Sequence, residues 1–156
     1  MKRVLPNVGQ QFHQLPMFMS AREIRSNYQA LDGDREFETK YNHKTDWYDT
    51  HTESDDELFA RKYTEALEDY DDVSGHTVAD SIRWDGVRNP ISLQTPPEKK
   101  PGRFDLPSPG FGMHGKPQIL GGHHRVAVME RHRPDDLMPV AHFEDAVQAK
   151  KSLGAK

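Results

Sequence analysis

The sequence predicts an α+β fold in one domain, on three observations. Short apolar runs of strand length (Asn89–Leu93, Pro117–Leu120 and Leu137–Phe143) are set apart by polar or glycine-rich stretches. A long amphipathic helix pattern opens at Ser54. The 156 residues are only 34% hydrophobic, with 11 glycines and 11 prolines, and mean hydropathy is −0.91. The core is therefore small and the loops long.

Taken in order, residues 1–16 read as a polar, flexible arm carrying Pro6 and Pro16. Met17–Met19 suits an edge strand. Ala21–Tyr28 suits a helix, because Ser20 followed three residues later by Glu23 has the spacing of a capping box. Residues 31–54, rich in Asp, Thr and His, are expected to form a long surface loop anchored by Trp47 and Tyr48. The stretch Ser54-Asp-Asp-Glu57 then starts a helix over 55–70. Its Phe59, Tyr63, Ala66, Leu67 and Tyr70 share one arc at about 100° per residue, so Phe59, Tyr63 and Leu67 are expected to be buried. Glu57–Arg61 and Arg61–Glu65 are i,i+4 pairs on the opposite side. An aromatic stripe of this kind is core, not a cofactor box.

A second helix runs from about Thr77 to Trp84, with Trp84 in the core and Gly86 as its stop. Asn89–Leu93 is a strand approached through Pro90. Residues 95–116 hold five prolines and four glycines and read as an irregular, mobile loop. Pro117–Leu120 is the next strand. Leu137–Phe143 is expected at a sheet edge, since Pro139 has no N–H to give a neighbour. From Asp145 the chain becomes a weak helix or tail.

Net charge is −4, but its distribution is uneven. Leu31–Asp72 carries fifteen Asp/Glu against five Lys/Arg, whereas Val73–Lys156 carries nine against twelve. The middle repels a phosphate backbone and the C-terminal half can meet one. With no cysteine there is neither a disulfide nor a thiolate metal site. No apolar run approaches the length of a membrane span. The N-terminus lacks a signal peptide's apolar stretch, so the expected compartment is the cytoplasm.

The stretch Gln118-Ile-Leu-Gly-Gly-His-His-Arg-Val-Ala-Val128 admits three readings. Two apolar runs split by Gly121-Gly122 can form a hairpin. Yet Val126–Met129 is continuous, not alternating, which fits a buried helix. Strand, glycine turn and helix together aim backbone N–H groups at an anion, with Arg125 in the helix's first turn able to grip phosphate oxygens. The third reading is a metal site, as five of the nine histidines lie between His114 and His142. Adjacent His123 and His124 diverge by about 100° on a helix, and His114, His132 and His142 lack ligand spacing, so no metal site is expected there. Asp80 and Asp85 fit a hard cation beside a nucleotide, or plain solvated positions. Lys99, Lys100 and Arg103 form a small basic patch.

In order along the chain, Ala79-Asp-Ser-Ile82, Gly86-Val-Arg-Asn-Pro-Ile91 and Ile119-Leu-Gly-Gly-His-His-Arg-Val-Ala-Val128 resemble the ParB-like nuclease domain of the ParB/sulfiredoxin superfamily. The likeness extends over residues 17–143, with 144–156 as a tail, and is nearest to small free-standing versions in actinobacterial phages. Ser54–Arg61 and the closing Leu-Met-Pro-Val-x-His-Phe add to it. The resemblance implies a compact domain with a small mixed sheet and flanking helices. It also implies that Gly121, Gly122, His123, His124 and Arg125 contact phosphate, joined by Arg88, Asn89 and Pro90. A nucleoside triphosphate (CTP or ATP) with Mg²⁺, or DNA, is the implied ligand. Nuclease or nucleotidase action is the implied chemistry, with His123, His124 and Arg125 as its catalytic candidates and a bacterial host's cytoplasm as its setting.

The chain departs from the family at three positions. Gly121 stands where many relatives carry Asp, and His123 and His124 stand where chromosome-segregation members carry Glu and Arg. Sulfiredoxin chemistry is excluded because its cysteine is absent. The competing class is a non-catalytic module binding a host or phage protein through its acidic 31–72 region.

Overall fold

In this computed structural model, which describes residues 15–70, 74–96 and 115–152, seven strands and five helices form a mixed α+β architecture. The order is β1 (Phe18–Ser20), α1 (Ala21–Asn27), β2 (Gln29–Ala30), a 3-10 turn (Asp32–Asp34), β3 (Phe37–Asn42), β4 (Trp47–Thr52), α2 (Asp55–Glu68) and α3 (Val78–Asp85). Then follow β5 (Ile91–Gln94), β6 (Gln118–Gly121), α4 (His123–His132), β7 (Leu137–Phe143) and α5 (Ala146–Ser152). The arm at 1–14 and the proline-rich stretch at 97–114, including Lys99, Lys100, Arg103 and His114, lie outside the described residues.

Five strands make the main sheet in the order β1-β7-β5-β6-β2. β1 and β7 run antiparallel, β7 and β5 parallel, β5 and β6 antiparallel, β6 and β2 parallel. The sheet is thus mixed. α4 packs against α1, α2, α3 and β5. It buries Val126, Ala127, Val128 and Met129 in succession, so its central turn is enclosed on all sides and serves as the middle of the core, while both ends of the helix are polar. Ile24 from α1, Leu58 and Phe59 from α2, Ile82 from α3, and Ile91, Leu93 and Ile119 from the sheet complete that core. Each such side chain contributes about 1.5–3 kcal/mol by leaving water.

The helix starts follow the sequence. The Ser20 hydroxyl accepts from the Glu23 N–H, capping α1. Ser54 with Glu57, and Thr77 with Asp80, form full capping boxes on α2 and α3. Gly86 ends α3 at φ 74°, a left-handed conformation that glycine adopts without strain.

Four expectations need correction. First, residues 31–54 are not a loop but a 3-10 turn and a regular hairpin in full register from Phe37↔Thr52 to Asn42↔Trp47. Trp47 and Tyr48 anchor nothing, being 72% and 59% exposed. Second, α2 is rotated relative to the expected stripe. It buries Leu58, Phe59 and Ala66, leaves Tyr63 half-buried and Leu67 exposed, and ends at Glu68, so that the exposed Tyr70 lies beyond it. The Lys62 stem lies on the buried side, and a covered lysine hides that face from a reading based on apolar residues.

Third, β7 is an interior strand between β1 and β5. Val140 N–H donates to the carbonyl of Met17, just before β1, and pairing with β5 begins only at Ile91↔Val140. Because backbone groups alternate along a strand, Pro139 turns its missing N–H toward the side where β5 has not yet started. Fourth, Trp84 is not core. It is 62% exposed, with its ring edge-on to His76 at 4.8 Å.

Candidate functional site

The Gly-Gly-His-His-Arg stretch is strand, turn and helix. β6 ends at Gly121, Gly122 takes φ 95° and ψ 20° as the N-cap of α4, and no side chain caps that helix. The two glycines are not equivalent. A Cβ on Gly122 would lie 2.7 Å from Ile91 Cδ1 and 3.0 Å from Arg125 Nη2. Glycine is needed there both for its backbone and for the close approach of β5. A Cβ on Gly121 would meet only Ser92, at an ordinary 3.7 Å.

The next three side chains part company at once, as a rotation of about 100° per residue requires. His123 points into the core under Phe59, their ring centroids 5.9 Å apart. Its Nε2 accepts from the Leu31 N–H at 3.2 Å and its Nδ1 lies 3.3 Å from Asp34 Oδ2. Nδ1 therefore carries the proton, and the ring is neutral. Burial pushes its pKa down to about 4, outweighing the nearby Asp34 charge. His124 faces α2 instead, with Nε2 3.6 Å from Glu65 Oε2.

Arg125 turns the third way. Its Nη1 donates to Asn89 O at 2.5 Å and to Pro90 O at 3.3 Å. Burial lowers its pKa, yet a guanidinium stays charged. Among the described residues no carboxylate pairs with it.

Arg125 reaches a cleft of about 330 Å³ between α3 and the approach to β5. Asp85, Arg88, Asn89, His76 and Ser81 line it, with Val78, Ile82 and Val87 supplying apolar wall. Arg88 is exposed and 3.7 Å from Asp85 Oδ1. The cleft thus gathers Arg88, Asn89 and Arg125 from two segments over thirty residues apart, and the Pro90 carbonyl holds Arg125 at its edge. Gly121, Gly122, His123 and His124 do not line it. Asp80 caps the Thr77 N–H and does not converge with Asp85. His76 belongs to no motif, and Ser81, although inside the Ala79–Ile82 box, has no role assigned there; only the fold brings both to the cleft that Arg125 reaches.

Among the described residues no group of three or more His, Asp or Glu side chains is arranged to hold a metal ion. Nor is any helix among them long and apolar enough to cross a membrane. Comparison with family models, with curated proteins and with solved structures finds no match for this chain.

Proposed function

We propose that the protein binds a phosphate-bearing ligand, a nucleotide or the backbone of a nucleic acid, in the cleft between α3 and α4, as a small ParB-like domain. One observation carries this reading: Arg88, Asn89 and Arg125, which the resemblance assigns to phosphate, line one cavity of about 330 Å³. Arg88 and Arg125 supply charge, and Asn89 and Ser81 supply orienting hydrogen bonds. Any Mg²⁺ would enter with the nucleotide, with Asp85 as the carboxylate beside it.

The same geometry favours binding over hydrolysis by the paired histidines. Both ring nitrogens of His123 are engaged inside the core, and His124 faces Glu65 away from the cleft.

The experiment is a titration with ATP, CTP, and single- and double-stranded DNA, with and without Mg²⁺, at two salt concentrations. Arg88→Ala is the informative variant, because the Arg88 side chain is 78% exposed and its loss leaves the fold intact. Loss of one charge-assisted contact of about 1.5 kcal/mol weakens binding about tenfold with the unliganded melting temperature unchanged. Equal binding by wild type, Arg88→Ala and a folded Arg125→Ala protein would reject the cleft as the site.

A further inference from the structure

Trp84 lies on the flank of the cleft. From α3, Val78, Ser81, Ile82 and Asp85 line that cleft. At about 100° per residue, Trp84 stands roughly 60° round the helix from Ser81, on the side away from Ile82. Its indole is 62% exposed and takes no part in the buried cluster. Its ring contact is His76, itself exposed and lining the cleft.

The two ring centroids are 4.8 Å apart and the planes stand at 89°. Planes at right angles form a corner. A flat aromatic group laid against one ring gains an offset stack, and its rim meets the other ring. A sugar or an aliphatic chain gains neither. Tryptophan joins a large apolar face to few rotatable bonds, so an exposed indole loses little entropy when a ligand covers it.

The charge beside this corner decides what carries the flat group. Arg125 donates to the Asn89 and Pro90 carbonyls and meets no carboxylate among the described residues. Asp85 is the one carboxylate lining the cleft, and it lies 3.7 Å from Arg88. With that pair set against each other, the Arg125 charge is left over. The complement is an anion that bears a flat aromatic ring. On the phosphate reading of the cleft, on which this inference rests, that ring is a nucleobase. We propose that Trp84 and His76 form a stacking platform for an unpaired base whose phosphate is held by Arg88 and Arg125. A single strand and a free nucleotide share this chemistry, whereas a duplex keeps its bases in their own stack.

The test uses the full chain with Trp47→Phe, which leaves Trp84 as the sole reporter of the two tryptophans present. The probes are a dodecamer of deoxythymidine, an abasic strand of the same length, the duplex of that dodecamer with its complement, ATP, and inorganic tripolyphosphate. A base-bearing probe quenches Trp84 emission saturably and binds about tenfold tighter than its base-free counterpart. Whichever of the single strand and ATP shows this advantage identifies the source of the base. By calorimetry, Trp84→Ala, checked by circular dichroism for an intact fold, abolishes the advantage and leaves affinity for the base-free probes unchanged, while Trp84→Phe retains most of it. Equal binding of base-bearing and base-free probes overturns the platform, and its loss in Arg88→Ala would leave the phosphate cleft standing. An advantage that survives Trp84→Ala, or a preference for the duplex, also overturns the platform. Binding of no probe overturns both readings.

Discussion

At the scale of single residues, two neighbouring glycines carry opposite constraints. Gly121→Ala should leave stability within about 0.5 kcal/mol, since its Cβ would make only ordinary contact with Ser92. Gly122→Ala should cost about 2–4 kcal/mol, from the left-handed backbone and the Ile91 methyl in the way, and urea unfolding distinguishes the two. A Gly122→Val protein is accordingly a test of folding before it is a test of binding. The glycine pair, the helix after it and the divergence of His123 from His124 were all legible in the sequence, because they follow from local periodicity. The destinations of those side chains were not. That His123 meets Leu31 and Asp34, ninety residues away, is a tertiary fact with no local signal.

At the scale of elements, the capped helices were readable and the hairpin was not. Ser20, Ser54, Thr77 and Gly86 announce boundaries through side-chain and backbone chemistry that acts within four residues. β3 and β4 lack apolar alternation because both of their faces are wet, and their turn uses Asp46 at φ 55° without an Asn-Gly or Asp-Gly pair. The rotation of α2 has a direct consequence. Leu58→Ala should cost about 2–5 kcal/mol, as its side chain is wholly buried, whereas Leu67→Ala, at 42% exposed, should cost well under half of that. Equal losses in chemical denaturation would restore the stripe expected from Phe59, Tyr63 and Leu67.

At the scale of the whole molecule, stability should depend on pH through His123. Its folded pKa, about 4, lies below the ordinary 6.5, so the unfolded chain binds the extra proton. The unfolding free energy therefore rises with pH in this window, with the His123 contribution fully present above about 6.5 and lost as pH falls toward 4. Its size is on the order of 3 kcal/mol for a group so deeply buried. A His123→Gln protein should lose this slope, and denaturation midpoints at several pH values between 4 and 7 would reveal it. An identical slope in both proteins would assign the effect elsewhere. The sheet order has a consequence of another kind. β1, near the start of the chain, is held by β7 across more than a hundred residues, and β5 gains one of its two neighbours from that same late strand. During synthesis on a ribosome, therefore, β1 has no partner and α1 no Glu130 or Asp135 for Arg25 and Arg22 until residues 130–143 have emerged. Productive folding is thereby deferred until β7 has emerged, and the nascent chain meanwhile exposes a sheet that it cannot yet assemble.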